Sequence, residues 1–277
     1  MNPDWKRTVH CLGDLHAGAI TRTRLEAVGR DIEQLGPPAL HLQVGDATEG
    51  GSEHEDRVAR GFLDDLPAQW VTALGNHDIL HNDRTVADWG RAYDQPSQNF
   101  RVELDFMRVI VVGPDRNEPG RRAGRLSGAT LSFLERELAG TEEDCWVVCH
   151  WPLLRTVMGD PRLHFTSAME AFHAKPDVSI RKLLARHRNA KVWLSGHTHS
   201  PLSAPGLIKR TRLAPRRSIV TVNASALVGI GKRRDPRAPL CSLYLTHRPG
   251  FLEVRSRDHR AGAWRKLRGR QVVELPV

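Results

Sequence analysis

The sequence predicts an α/β sandwich, and three observations carry that expectation. Apolar, β-branched runs short enough for buried strands recur along the chain, segments with apolar residues three and four apart lie between them, and two stretches alternate around turn signals. In chain order, "RTVHCLGD" (7–14) reads as the first strand and "RTRLEAVGRDIEQL" (22–35) as a helix. "ALHLQVGD" (39–46) is the second strand, "EHEDRVARGFLDDL" (53–66) a helix and "QWVTALGNHD" (69–78) the third strand. "FRVELDFMRVIVVG" (100–113) reads as two antiparallel strands around a tight turn near Asp105 and Phe106. Then follow a helix in "GATLSFLERELA" (128–139), a strand in "CWVVCHWP" (145–152), a helix in "SIRKLLARH" (179–187) and a strand in "KVWLSGHTH" (191–199). The C-terminal "PLCSLYLTHRPGFLEVRSRDHRAGAWR" alternates, with turns at Pro249-Gly250 and Ala261-Gly262, and suits outer strands.

A chain of 277 residues can bury a full core, and one domain over 1–277 is expected, with the region from about 240 to 277 completing the second sheet. The hydrophobic fraction of 40% and charged fraction of 26% are those of a globular protein, and no window holds the roughly 18 apolar residues of a membrane span. No membrane partner is expected. The first strand starts by about residue 8, leaving no room for a signal peptide, so a cytoplasmic location is expected. Cys11, Cys145, Cys149 and Cys241 form no CxxC pair and read as buried thiols of a reducing compartment. The net charge of +9 has two readings: attraction to phosphate-bearing partners, or coding bias, because Arg outnumbers Lys roughly five to one.

Five of these strands share one ending, a Gly or Cys followed by His, Asp or Asn. They deliver Asp14 and His16, Asp46, Asn76 and His77, His150, then His197 and His199. Ligands of open α/β folds gather at the carboxyl ends of the strands. A lone His after a strand is usually a hydrogen-bonded turn residue, but five successive strand ends of this kind point to a site for divalent metals.

The motifs "GDLHAG", "GD" at Gly45, "GNHD" at Gly75, "CH" at His150 and "GHTH" at Gly196 resemble, in order, the pattern of the calcineurin-like metallophosphoesterases. The resemblance runs from about residue 7 to about 225 and implies a four-layer α/β/β/α sandwich of two mixed β-sheets flanked by helices. It also implies a dinuclear metal-dependent phosphoesterase that hydrolyses a phosphate mono- or diester by in-line attack of a metal-bridging hydroxide. By that resemblance Asp14, His16 and His199 hold one metal, Asn76, His150 and His197 hold the other, and Asp46 bridges both. His77 is the general acid for the leaving oxygen, and Glu49, three residues after Asp46, is expected to orient its imidazole. Asp78 reads as a structural acceptor.

Electrostatics agrees with a bridging carboxylate. Two dications about 4 Å apart repel by roughly 17 kcal/mol at an effective dielectric near 20, so an anion must lie between them. The mixed nitrogen and oxygen donors suit two divalent transition metal ions, with Mn expected and Fe or Zn as alternatives.

The substrate is less constrained. "GDATEGG" departs from the GDxxDRG of the protein Ser/Thr phosphatases, which argues against that branch. The ligand order resembles the group that includes class III cyclic-nucleotide phosphodiesterases, but general phosphatases share it. A small phosphorylated substrate is expected, with a cyclic-nucleotide phosphodiesterase or nuclease as alternatives and a non-catalytic binding scaffold behind them. Trp151 beside the metals either stacks on a base or packs. The segment 151–179 can rim the site with Arg155, His164 and His173, and the loops "IKRTRLAPRRS" and "GIGKRRDPRAP" are either solvated or hold a nucleic acid.

Overall fold

Thirteen strands among the described residues form two mixed sheets. The computed structural model describes residues 3–80, 84–116, 118, 123–159, 165–227, 239–267 and 269–277. One sheet holds β1 (Thr8–Leu12), β2 (Leu40–Gln43), β3 (Trp70–Thr72), β10 (Cys241–Arg248), β11 (Phe251–Asp258) and β12 (Ala263–Arg265), in the order β12-β11-β10-β1-β2-β3, with β13 (Val273–Pro276) also on β11. The other runs β4-β5-β6-β7-β9-β8, built from β4 (Phe100–Leu104), β5 (Met107–Val111), β6 (Cys145–Val148), β7 (Ala190–Ser195), β8 (Ile208–Ala214) and β9 (Arg217–Asn223).

Helices α1 (Arg22–Glu33), α2 (Glu53–Asp64), α4 (Gly128–Ala139) and α5 (Asp177–Arg186) fall on the segments whose apolar spacing predicts them. A capping box at Ser52 and Glu55 starts α2, and Ser127 caps α4. A fifth helix, α3 (Val86–Tyr93), is not read from the sequence; its eight residues give only two turns of pattern, and its Thr85–Asp88 capping box is its clearest mark.

β1, β2 and β3 are parallel, as are β5, β6, β7 and β9, so the site-bearing strands of each sheet end on the same side. One apolar core joins residues of both sheets with Leu25, Val28 and Ile32 of α1 and Ala59 and Leu63 of α2; a second packs β5–β7 against Leu134 and Leu138 of α4 and Ile180, Leu183 and Leu184 of α5. That is two sheets back to back with helices outside.

Two expectations are corrected. The C-terminal strands complete the sheet of β1 instead of the one built from mid-chain, because β10 takes the side of β1 that β2 leaves open. "IKRTRLAPRRS" is not a loop: β8 and β9 form a hairpin turning at Pro215-Arg216, and Thr211 and Thr221 bond across it at 2.8 Å. Burial does not alternate along β8, since buried Ile208 shares a face with exposed Arg210 and Arg212 while buried Thr211 lies on the other. "GIGKRRDPRAP" lies outside the described residues except for its last proline, and His164 lies outside them too.

Candidate metal centre

The parallel strands release their chains into sharp turns at the site. His16, Asp46, His197 and His199 all have positive φ, between 48° and 73°, a left-handed conformation that costs non-glycine residues about 1–3 kcal/mol each. The turns are tied together: His16 N–H donates to Asp46 O at 2.9 Å, and Gly196 N–H to His150 O at 2.9 Å. Gly45, at φ +100°, is required doubly, since a Cβ there would stand 2.5 Å from His150 Nδ1.

Among the described residues three groups of donor atoms converge, each within 4.8 Å: Asp14, His16, Asp46 and His199; Asp46, His150 and His197; and, beside the first, His16, Glu49 and His77. Asp46 joins the first group to the second. Its Oδ2 lies 3.5 Å from His16 Nε2 and 3.2 Å from His150 Nε2, while Oδ1 accepts the main-chain N–H of His77 at 2.8 Å. Asp14 accepts the His197 N–H at 2.9 Å and lies 3.5 Å from His199 Nε2. Asn76, with Oδ1 buried, sits between two residues that both touch Asp46: His77, and Gly75, at which a Cβ would come within 2.1 Å of Asp46 N.

The imidazoles are aimed from behind. His16 Nδ1 donates to Glu49 Oε2 at 2.7 Å, His150 Nδ1 to Val44 O at 2.9 Å and His197 Nε2 to Ala171 O at 3.2 Å, which assigns the tautomers from the partners. The remaining nitrogens then face one another, His16 Nε2 against His199 Nε2 and His197 Nδ1 against His150 Nε2, both at 3.1 Å. Nitrogens at that distance need a proton or a metal ion between or beside them, and two buried carboxylates stand ready to balance the charge. The donor set fits two metal ions. In the metal-free chain, burial lowers the pKa of His150 but the charges of Asp46 and Asp14 outweigh it and raise it to about 9, whereas burial and the neighbouring His150 push His197 down to about 3.

Glu49 departs from its expected task. Its carboxylate holds His16, while His77 Nδ1 donates to the main-chain carbonyl of Glu49 at 2.6 Å. The side chain turns toward His16 because the 46–49 turn runs beside the first: Ala17 N–H bonds Ala47 O, and Glu49 N–H bonds Ala17 O. Asp78 is the expected acceptor, taking N–H groups from Asp46, Thr48 and Gly75 at 2.8–3.1 Å; burial and the charge of Asp46 raise its carboxyl to about 6.

Trp151 packs. It is 1% exposed in the core under α4 and α5, so no base can stack on it. Cys149 is buried, and burial raises its thiol to about 12, which leaves it inert. His173 is buried with Nδ1 on Met169 O, whereas Arg155 is exposed. The sequence reading missed Phe172, whose ring lies 4.7 Å from that of His197 and stacks on Phe165 at 4.3 Å; no periodicity in that loop marks it. Beyond Glu49, a cavity of about 760 Å³ runs past Gly51 to Arg84 and Arg91.

Comparison with known proteins agrees with this geometry. The family model described as calcineurin-like phosphoesterase matches residues 7–201. A probable cyclic nucleotide phosphodiesterase of Synechococcus sp. is 27% identical over 194 residues, 69% of this chain and 70% of that protein. Another, of Rhodococcus erythropolis, is 33% identical over 135 residues, 46% of this chain and 43% of that protein. The crystal structure of a dimetal phosphatase from Danio rerio superposes with a TM-score of 0.68 at 11% identity, covering 99% of both chains, and so shares the fold. With five motifs at five strand ends and a dinuclear donor set around Asp46, the chain belongs to the calcineurin-like phosphoesterases, hydrolases of phosphoric esters.

Proposed function

We propose that the protein hydrolyses a phosphodiester, with cyclic nucleotides as the substrate class, at a metal pair bridged by Asp46. The observation that carries the proposal is that Asp46 joins the donor group of Asp14, His16 and His199 to that of His150 and His197; the choice of diester rests on the two relatives named probable cyclic nucleotide phosphodiesterases. Asp14, His16, Asp46 and His199 hold one ion, and Asp46, Asn76, His150 and His197 the other. When bound, the pair supplies Lewis acidity for the phosphoryl oxygens and makes water acidic enough to act as a nucleophile near neutral pH. Asp46 offsets the repulsion between the two charges. Glu49 and the carbonyls of Val44 and Ala171 keep three imidazoles turned inward. His77 is anchored twice, through its N–H on Asp46 and its Nδ1 on Glu49 O, which leaves Nε2 to hand a proton to the leaving oxygen.

Mixed nitrogen and oxygen donors make Mn the expected metal, with Fe or Zn as substitutes. Four buried, unpaired cysteines suit the cytoplasm. The test is a metal-reconstituted panel of p-nitrophenyl phosphate, bis-p-nitrophenyl phosphate and cyclic AMP. We expect both diesters to be turned over faster than the monoester and all activity to vanish with a chelator. Preference for the monoester would overturn the diester reading, and chelator-resistant hydrolysis the site itself.

A further inference from the structure

The outer edge of the second sheet carries a charge pattern that the hydrolytic site does not use. Residues 178–227 contain ten Lys or Arg and no Asp or Glu. Arg181, Arg186 and Lys191 are matched by Asp177, Glu135 and Asp144. Lys182, Arg188, Arg210, Arg212, Arg216 and Arg217 make no ion pair among the described residues. They come together because α5 packs against β8, the edge strand, and β9 returns beside it.

Arg217 shows how close the cations are. Its guanidinium donates to the carbonyls of His187 and Ala190, and burial, then the charges of Arg188 and Arg210, hold its pKa below the usual arginine value. Arg210 and Arg212 project from one face of β8, about 7 Å apart at the usual strand rise. Fixed cations that repel one another, with no counter-charge from the protein, are relieved by a polyanion, and guanidinium is the group that grips phosphate with two parallel bonds.

We propose that the β8–β9 hairpin and the adjoining end of α5 form a docking surface for the phosphate backbone of a nucleic acid, read without regard to sequence. Three observations choose this partner. The hairpin carries no aromatic side chain for stacking on unpaired bases. None of the exposed large hydrophobics, Leu80, Met158 and Val178, belongs to the hairpin, so it has no apolar wedge for a membrane. Edge-strand charges also discourage strand pairing, but that role needs cations on β8 alone, and here they continue onto α5 at Lys182 and beyond it at Arg188.

The experiment is fluorescence anisotropy of the metal-loaded protein with a labelled 20-base-pair DNA duplex across a salt series. Binding should weaken steeply with salt, with a log–log slope of about −4 for four to five phosphate contacts. The Arg210→Gln, Arg212→Gln, Arg216→Gln variant should bind at least tenfold more weakly near 0.1 M salt, with a slope shallower by about 3. A control variant, Arg22→Gln, Arg30→Gln, Arg57→Gln, removes the same charge from α1 and α2 and should bind as wild type. Equal losses in the two variants would reduce the effect to net charge and overturn the proposal; so would polyglutamate or anionic phospholipid vesicles bound as tightly as DNA. Hydrolysis of bis-p-nitrophenyl phosphate should be unchanged in both variants. Failure of that hydrolysis in wild type would count against the proposed catalysis and leave the binding result readable.

Discussion

His77 bonds the main-chain carbonyl of Glu49, whereas the Glu49 carboxylate bonds His16. His77 meets Asp46 only through its backbone N–H, so removing its imidazole should spare the metal centre. His77→Ala is expected to keep its metal content and to lose roughly 10²–10⁴ in rate on esters of alkyl alcohols, and much less on p-nitrophenyl esters, whose leaving group needs little protonation. Glu49→Ala should show the converse. With the partner of His16 Nδ1 gone, metal affinity should fall roughly 10–100-fold, and excess metal should restore the rate on both kinds of ester alike. Metal titrations paired with the two substrate types measure both outcomes, and a leaving-group dependence in Glu49→Ala would return that carboxylate to His77. The position of the acid was legible in "GDATEGG"; its partner was not, because that depends on how the 14–17 and 46–49 turns lie together.

Among the elements, the strand-to-turn junctions carry the site, and their glycines are there for space. Gly75 ends the β3 turn against Asp46, where a Cβ would lie 2.1 Å from the main-chain nitrogen and 2.2 Å from Oδ1. Backbone cannot yield as a side-chain tip can, so Gly75→Ala should cost about 1–3 kcal/mol and lower metal occupancy by displacing the bridging carboxylate. Gly61, inside α2 with nothing within 4 Å of where a methyl would stand, is the control: Gly61→Ala should stabilise by about 0.5–1 kcal/mol and leave occupancy unchanged. Denaturant unfolding with elemental analysis of both variants checks the contrast. Most strands and four helices could be read from apolar spacing, because each buries a regular stripe. α3 and the β8–β9 hairpin could not, the first for shortness and the second because burial along its arginine-rich edge strand does not alternate.

The whole molecule adds a polar layer within the first sheet. Val9, Cys11, Leu40 and Leu42 alternate with His10 and His41, and those histidines join a chain of bonds: His41 Nδ1 to His10 Nδ1 at 2.8 Å, His10 Nε2 to Ser242 Oγ and Ser242 Oγ to His259 Nε2, both at 2.7 Å, and His259 Nδ1 to Asp31 of α1 at 2.8 Å. Burial lowers the pKa of His10, His41 and His259, that of His41 to about 4. The unfolded chain takes up protons below about 6.5 that the folded chain refuses. Stability from this layer is therefore full above pH 6.5 and declines as pH falls toward 4, by up to about 1.4 kcal/mol per pH unit for each histidine. Unfolding of the metal-free protein from pH 7 to 4.5 should show that slope, and His41→Gln should make it shallower; parallel slopes would remove His41 from the account.

The sequence by itself determined which residue types stand at the five strand ends, their order, and the α/β alternation that carries them, because strands and turns write their periods and residue types locally. Tertiary structure decided what those residues do to one another. It gave Glu49 to His16, sealed Trp151 in the core, placed Ala171 O and Phe172 at His197, brought the C-terminal strands to β1 and gathered unmatched arginines along one sheet edge. Each of these joins residues far apart in the chain or in neighbouring turns, and such contacts are set by packing, which leaves no periodic mark in a single stretch of sequence.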